Sequence, residues 1–210
     1  MARDRWKPIE RELRKTAGPL IAGVDEVGRG PLAGPVVACA VIMPPDVRAI
    51  PGVADSKVLS APERARLAPL IRQRALAWAL GAASVQEING LNIAGATALA
   101  MRRALRRLSM QPDIVIVDGR PVSQLPVPHR AVVDGDARCY SIASASIVAK
   151  VVRDRLLSSL GTRHPAYGWS RNAGYGTAFH IGAIRQAGLT PHHRQLFCES
   201  ALGIRDSFGA

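Results

Sequence analysis

Apolar residues along this chain fall into two rhythms, and the rhythms predict its elements. Residues 19–27 and 34–43 are nearly continuous apolar runs and read as two strands; Pro44 and Pro45 close the second, and the short link predicts a hairpin. Ser60, Pro62 and Glu63 have capping-box spacing, so a helix is expected from there to about Arg74. Residues 76–85 read as a third strand. Leu91, Ala94, Ala98, Met101, Leu105 and Leu108 recur at steps of three and four, one face of a long helix that Pro112 ends. Arg103 and Arg107 lie opposite that face, flanked by Arg102 and Arg106, and are read as a solvated side.

The run "DIVIVDG", 113–119, is a short buried strand, expected to lie parallel to its neighbour because a helix precedes it. Residues 120–129 hold three prolines and read as a loop, and "HRAVV" reads as a fifth strand. Ile142, Ala145, Ala149, Val152 and Leu156 mark another helix, ending near Gly161. Its first turns, Ala143 to Ser146, are so small that a neighbour must pack close there. One short helix is expected at 177–187. The order β-β-α-β-α-β-β-α is that of an α/β protein, a mixed sheet with helices packed on it.

Charge narrows the function. The 210 residues carry 28 basic and 16 acidic side chains, a net +12, and only Lys7, Lys15, Lys57 and Lys150 of the basic residues are lysine. An arginine-built positive surface suits phosphate contacts, although a genome rich in arginine codons produces the same balance. Cys39, Cys139 and Cys198 form neither a zinc pattern nor a disulfide framework, which fits a reducing cytoplasm. The charged N-terminus has no apolar signal core, and no run approaches a membrane span.

Acids recur at predicted strand ends. Asp25 and Glu26 end the first strand, Asp118 the fourth, and Asp134 and Asp136 follow the fifth. If the first and fourth strands are parallel neighbours, Asp25 and Asp118 sit side by side, and like charges that close call for a cation. Carboxylates without histidine or thiol partners favour Mg²⁺ or Mn²⁺ over zinc. Two such ions suit phosphodiester hydrolysis. Singly, each acid reads better as a cap or turn residue; together, on strand ends of a basic protein, they favour a metal site, and the residues alone do not choose between Asp134 and Asp136.

Gly28, Gly30 and Ala33 match a dinucleotide-binding fingerprint, but that motif must open a helix, and the chain that follows is strand-like and holds Pro35. Two acids beside the loop would also repel a pyrophosphate. The alternative is a main chain left bare to approach a nucleic-acid backbone and read a 2′-hydroxyl, with Arg29 on a phosphate.

At this point the chain resembles the bacterial type 2 ribonucleases H (ribonuclease HII). The resemblance rests on "GVDEVGRGPLAGPVV", "DSKVLS", "NIAGATALAM", "VDG", "GD", "SIASASIVAKVVRD", "GYGT" and "HHR", in the family's order and spacing from residue 21 to about 197. It implies a ribonuclease H-like fold with a five-stranded mixed sheet. It implies a catalytic domain at 18–161 and a C-terminal helical extension completing the substrate site at 162–202, while the residues themselves read as a short, mobile or helical arm at 1–17 and a mobile tail at 203–210.

The resemblance also implies a two-metal site of Asp25, Glu26, Asp118 and Asp136, taking Mg²⁺ or Mn²⁺. Gly28, Arg29 and Gly30 match the loop that recognises the ribose at an RNA–DNA junction. Tyr175 matches the tyrosine that stacks on the next, deoxy sugar, and Ser56 and Lys57 a phosphate-contacting turn. The implied reaction is hydrolysis of RNA paired to DNA, and cleavage 5′ to a single embedded ribonucleotide, leaving 3′-hydroxyl and 5′-phosphate ends. A cytoplasmic monomer whose partner is nucleic acid is expected. Only 24 residues precede Asp25, so the N-terminal domain of type 3 relatives is not expected.

The chain departs from the family pattern at Asp134 and at Asn172-Ala173, where basic residues are usual, and Arg138 or Arg171 stand nearby as replacements. Lys150 and Asp154 read as a surface ion pair, and His180 and His193 as structural hydrogen-bonders. "HRQLFCES" loosely resembles a sliding-clamp peptide, which the family's own pattern already accounts for. The rival readings are another metal-dependent nuclease of the same fold, junction resolvase-like, which has no use for Gly28-Arg29-Gly30 and Tyr175, and a non-catalytic nucleic-acid binder, which has no use for the acids.

Overall fold

Five strands carry the apolar runs to the centre of the molecule. The structure, a computed structural model, describes residues 7–45, 48–125 and 127–204. Strands β1 (Ile21–Val27), β2 (Val36–Ile42) and β3 (Ala77–Ala83) form an antiparallel meander. Strands β4 (Ile114–Asp118) and β5 (His129–Val132) continue the sheet in parallel on the other side of β1, giving the order β3-β2-β1-β4-β5. The mixed sheet and the parallel β1–β4 pair are as the sequence predicts.

The period of two divides β2 between two cores. Val37, Cys39 and Val41 pack with Leu67 and Ile71 of helix α2 (Ala61–Arg74) and Ala145 and Val148 of helix α5 (Tyr140–Arg163). Val36, Ala38, Ala40 and Ile42 face Ala96, Ala100, Met101 and Ala104 of helix α3 (Val85–Arg106). Each fully buried leucine or isoleucine here contributes about 1.5–3 kcal/mol. Alanines four apart let α3 lie close to the sheet: a Cβ at Gly81 would stand 2.0 Å from the Ala100 carbonyl oxygen.

The small first turns of α5 have the same cause. A Cβ at Gly23 would stand 2.3 Å from the Ser141 carbonyl carbon, so α5 rests directly on β1. That contact brings α5 over Asp25, two residues further along the same face of β1.

Helix α3 differs from its sequence reading. It starts at Val85, under a second capping box formed by Ser84 and Glu87, and is broken at Asn92 (φ 59°, ψ 176°). The Asn92 side chain accepts from the amides of Ala94 and Gly95, so it caps the second segment, where the apolar period begins. The arginine face is not simply solvated. Arg103 donates to the Ala82 carbonyl and holds Glu87 through both terminal nitrogens, and Arg107 donates to the Leu80 carbonyl. Helix residues four apart match strand residues two apart, so the pair covers the open edge of β3. The double variant Arg103→Ala/Arg107→Ala is expected to self-associate as concentration rises, read by light scattering, with activity per chain retained. A monodisperse variant would show that the edge is guarded by something else.

Before the sheet, helix α1 (Lys7–Thr16) covers most of what was read as an arm, and it is docked. Glu10 is buried and accepts from the Ser141 amide (2.9 Å) and hydroxyl (2.6 Å). Cys139 at the N-cap of α5 makes no side-chain cap, so Glu10 supplies the missing acceptor from another helix.

After β5 come a four-residue helix α4 (Gly135–Arg138) and α5. A 3-10 turn (Pro165–Tyr167) then leads to helices α6 (Trp169–Asn172), α7 (Ala178–Ala187) and α8 (Gln195–Ala201). These bury Tyr167, Trp169, Ile184 and Cys198 against Leu32, Ala33 and Leu157. Most of the expected mobile tail, residues 205–210, lies outside the described residues. Among the described residues no helix is long and apolar enough to cross a membrane.

Candidate active site

Three acids converge where β1 and β4 end. Val24 pairs with Val117, so Asp25 and Asp118 follow side by side. Asp136 arrives from α4, and a carboxylate oxygen from each of Asp25, Asp118 and Asp136 lies within 4.8 Å of the others. The turn before α4 makes this possible. Asp134 takes the left-handed conformation (φ 52°) and stays exposed, so the chain reverses and turns Asp136 inward, where it is buried. Gly135 leaves room for this packing: a Cβ would lie 2.7 Å from the end of the Ile142 side chain and 3.1 Å from Asp118 Oδ1, so both would have to shift. Of Asp134 and Asp136, it is Asp136 that is turned towards Asp25 and Asp118.

Each carboxylate is held. Asp118 Oδ1 accepts from the amides of Gly135 (2.7 Å) and Asp136 (3.3 Å). Asp25 accepts from the Glu26 amide (2.7 Å) and from the Ser146 side chain. Ser146 in turn shares a 2.7 Å hydrogen bond with Ser56. The buried Ser56 hydroxyl therefore faces inward, towards α5, and reaches Asp25 through Ser146. Lys57, on the same turn, reaches Asp136 Oδ2 at 2.6 Å while its side chain stays 73% exposed. Glu26 stands outside the three-acid cluster, its carboxylate turned to Arg29 at 3.2 Å.

The site resists holding its own charge. Burial, then the charges of Glu26 and Asp118, push Asp25 well above the ordinary carboxylate range. Burial raises Glu26, and the Arg29 charge opposes it. Burial and Asp136 raise Asp118. Partial burial works against the Lys57 charge, but the hydrogen bond to Asp136 outweighs it and the ammonium is raised. Acid oxygens alone, mutually repelling and with one lysine at the rim, are a donor set that fits a hard divalent cation.

Beside the acids, two buried arginines organise the glycine loop. Arg194 donates to the carbonyls of Gly28 (2.5 Å), Arg29 (2.8 Å) and Gly34 (2.8 and 3.0 Å). Arg153 donates to Ala33, Pro35 and Ala173. Gly28 is demanded by the fold, with φ +92° and a Cβ position 2.1 Å from Arg153. Gly30 is not: its backbone is ordinary, and a Cβ would merely touch the Tyr175 ring at 3.9 Å. Gly30, Arg29 and half-exposed Tyr175 thus face solvent together.

A family model for ribonuclease HII matches residues 22–200. This chain belongs to the ribonuclease HII family. It is a ribonuclease of the H type. Among curated relatives, the ribonuclease HII of Granulibacter bethesdensis is 51% identical over 201 residues, 93% of this chain and 91% of the relative. That of Azoarcus sp. is 54% identical over 190 residues, 90% of each chain. The fold matches ribonuclease H2 from Pyrococcus horikoshii with a TM-score of 0.70 at 24% identity, over 90% of this chain and 100% of that one. It matches Bst ribonuclease HIII in complex with Mn²⁺ at 0.70 and 21%, over 92% and 72%. The Archaeoglobus fulgidus ribonuclease HII of a complex with PCNA matches at 0.68 and 23%, over 83% and 93%.

At the positions where basic residues were expected, other contacts stand. Asn172 donates to the Tyr167 carbonyl and accepts from the Gly174 amide, and Ala173 takes φ 48° and gives its carbonyl to Arg153. The pair builds the turn before Tyr175. Arg171 stacks on Phe179 at 5.6 Å and Arg138 donates to the Val133 carbonyl, so neither is poised at the acids. Lys150 and Asp154 do pair, at 2.7 Å, and Arg64 joins them at 3.7 Å. The "HRQLFCES" segment is folded into α8 with Arg194 and Cys198 buried, so it is not displayed as a free peptide.

Proposed function

We propose that this protein hydrolyses RNA paired to DNA and cuts 5′ to single ribonucleotides embedded in duplex DNA, leaving 3′-hydroxyl and 5′-phosphate ends. The observation that carries the reading is Gly30. It is a glycine the fold does not require, exposed beside Tyr175 and next to Arg29, whose partner Glu26 adjoins the acids. Bare main chain there can approach a ribose closely, and a 2′-hydroxyl is both donor and acceptor.

Asp25, Glu26, Asp118 and Asp136 are proposed to hold two divalent ions, Mg²⁺ or Mn²⁺. When bound, such ions supply positive charge against the developing charge at phosphorus and make water more acidic. The protein contributes positions. Ser146 and the Gly135 and Asp136 amides fix Asp25 and Asp118, while Arg29 and Lys57 are charges within reach of phosphates. Gly28 and Gly30 read the ribose, and Tyr175 stacks on the next sugar and disfavours a 2′-hydroxyl there. Ser56 supports Asp25 through Ser146. In this reading residues 18–161 are the catalytic body and 162–202 complete the substrate site. The protein works in ribonucleotide removal in the cytoplasm as a monomer, with nucleic acid as its partner.

The test is a labelled DNA duplex with one ribonucleotide, incubated with Mg²⁺, Mn²⁺ or EDTA. One cut on the 5′ side of the ribonucleotide, lost in EDTA, is expected. Equal cutting of an all-DNA duplex would sink the sugar-reading role of the loop.

A further inference from the structure

Trp169, His180 and His193 form a buried chain of hydrogen bonds outside the acid cluster, and its partners dictate where every proton sits. His180 Nδ1 lies 2.9 Å from the Tyr175 carbonyl, which can only accept, so Nδ1 carries the proton. The Trp169 indole N–H can only donate and lies 3.0 Å from His180 Nε2, so Nε2 is the bare nitrogen. The Thr190 amide donates to His193 Nδ1 at 2.9 Å, so that nitrogen is bare and the proton of His193 is on Nε2. His193 Nε2 then donates to His180 Nε2 at 3.1 Å. A second proton on either ring would set donor against donor. On His180 it would face both Trp169 and His193, and on His193 it would face the Thr190 amide at 2.9 Å, although the Thr190 hydroxyl, 3.0 Å from the same nitrogen, can either donate or accept. Both rings are therefore neutral, in opposite tautomers, and at most 4% exposed. Burial pushes both below the ordinary histidine range, His193 to about 4 with the His180 ring as the next cause.

The chain ends on the residue that borders the glycine loop. The Tyr175 carbonyl accepts from His180 and from the Thr177 amide (2.8 Å), and Thr177 caps α7 by accepting from the His180 amide. His180 thus ties the start of α7 to the main chain of Tyr175, whose ring stands beside Gly30. We propose that His180 and His193 are positioning residues: a neutral, fixed-tautomer relay from Trp169 and Thr190 that sets Tyr175 for the sugar 3′ to the ribonucleotide. This rests on the reading of Tyr175 as the stacking residue.

Two substitutions at one site separate the relay from bulk packing. Asparagine at 180 can place an amide N–H where Nδ1 stands and keep the bond to Tyr175. Glutamine can place its amide where Nε2 stands, satisfy Trp169 and leave the Tyr175 carbonyl without His180. On duplex DNA carrying one ribonucleotide, His180→Gln is expected to raise KM roughly 10-fold with kcat unchanged, and His180→Asn to restore KM to within about 3-fold of wild type. Nitrogen-15 spectra of the wild-type protein at neutral pH are expected to show His180 protonated on Nδ1 and His193 on Nε2, a readout that needs no variant to fold. Reversed tautomers, a charged ring, or a wild-type KM in His180→Gln would overturn the relay. Tyr175→Ala distinguishes the two ideas. If it leaves KM unchanged, the stacking role of Tyr175 fails and takes the proposal with it; if it raises KM while His180→Gln does not, the relay alone fails.

Discussion

Asp118→Asn is expected to lower cleavage of a ribonucleotide-containing duplex by roughly 10³-fold while leaving the metal-free protein slightly more stable than wild type. The two effects have one origin. Asparagine keeps the oxygen that accepts from the Gly135 and Asp136 amides, so the turn carrying Asp136 is preserved. It removes a negative charge that stands within 4.8 Å of Asp25 and Asp136. The Asp118 carboxyl is raised in the fold, so the folded state favours its protonated form. Stability from that source is present at acid pH and is lost as pH rises through the raised value. The advantage of the asparagine variant should therefore widen from acid towards neutral pH. Solvent screening at this half-buried group limits it to about 0.5 kcal/mol, or 1–2 °C in melting temperature. Thermal melts in EDTA at several pH values measure the second effect, and the duplex assay the first. Retained cleavage would remove Asp118 from the reaction, and a less stable variant would mean that its charge is compensated in the fold.

Much of this site was legible before any coordinates, because strand ends are one-dimensional features. Asp25 and Asp118 each end an apolar run, and parallel pairing alone makes them neighbours. Asp136 could not be separated from Asp134 in the same way. The difference lies in one residue taking φ 52°, and asparagine or aspartate before glycine is the ordinary signal of many different turns. The inward hydroxyl of Ser56 was hidden for a similar reason. The family resemblance implies a phosphate-contacting turn at Ser56 and Lys57, and only the position of α5 shows the Ser56 hydroxyl paired with Ser146. The docking of α1 escaped because a single glutamate in a charged segment carries no period.

The buried arginines were missed against a signal that was present. Ala145, Ala149, Arg153 and Leu157 are four apart on one face of α5, and three of them are small or apolar, so the face continues through Arg153. Arginine is rarely fully buried, and that general expectation outweighed the period. What permits the exception is the run of carbonyls in 28–35 and at Ala173, which strand pairing leaves unmet and which guanidinium donors satisfy.

Arg194→Lys is accordingly expected to cost about 3 kcal/mol of stability, which corresponds to a melting temperature lower by some 6–12 °C. Arg194 makes four donations into the loop, to three carbonyls, from a planar fork that an ammonium on a flexible stem does not reproduce. Burial, and then the charge of Arg153, hold Arg194 down to about 9, so the loop already bears the cost of keeping it charged at neutral pH. Lysine would keep that charge while leaving carbonyls of Gly28, Arg29 or Gly34 unpaired. The functional consequence follows from direction. Carbonyls drawn inward by Arg194 are carbonyls kept away from the exposed side of Arg29 and Gly30, where the substrate is proposed to lie. With the restraint gone, the preference for a ribonucleotide-containing duplex over all-DNA should narrow in binding measured with EDTA, even at temperatures where the variant remains folded. Urea titration gives the stability cost. If it matches wild type within about 0.5 kcal/mol, the carbonyls have found other donors and the guanidinium does not hold the loop. If the cost appears without any loss of discrimination, the loop's backbone does not read the sugar, and recognition must come from Tyr175 and the acids alone.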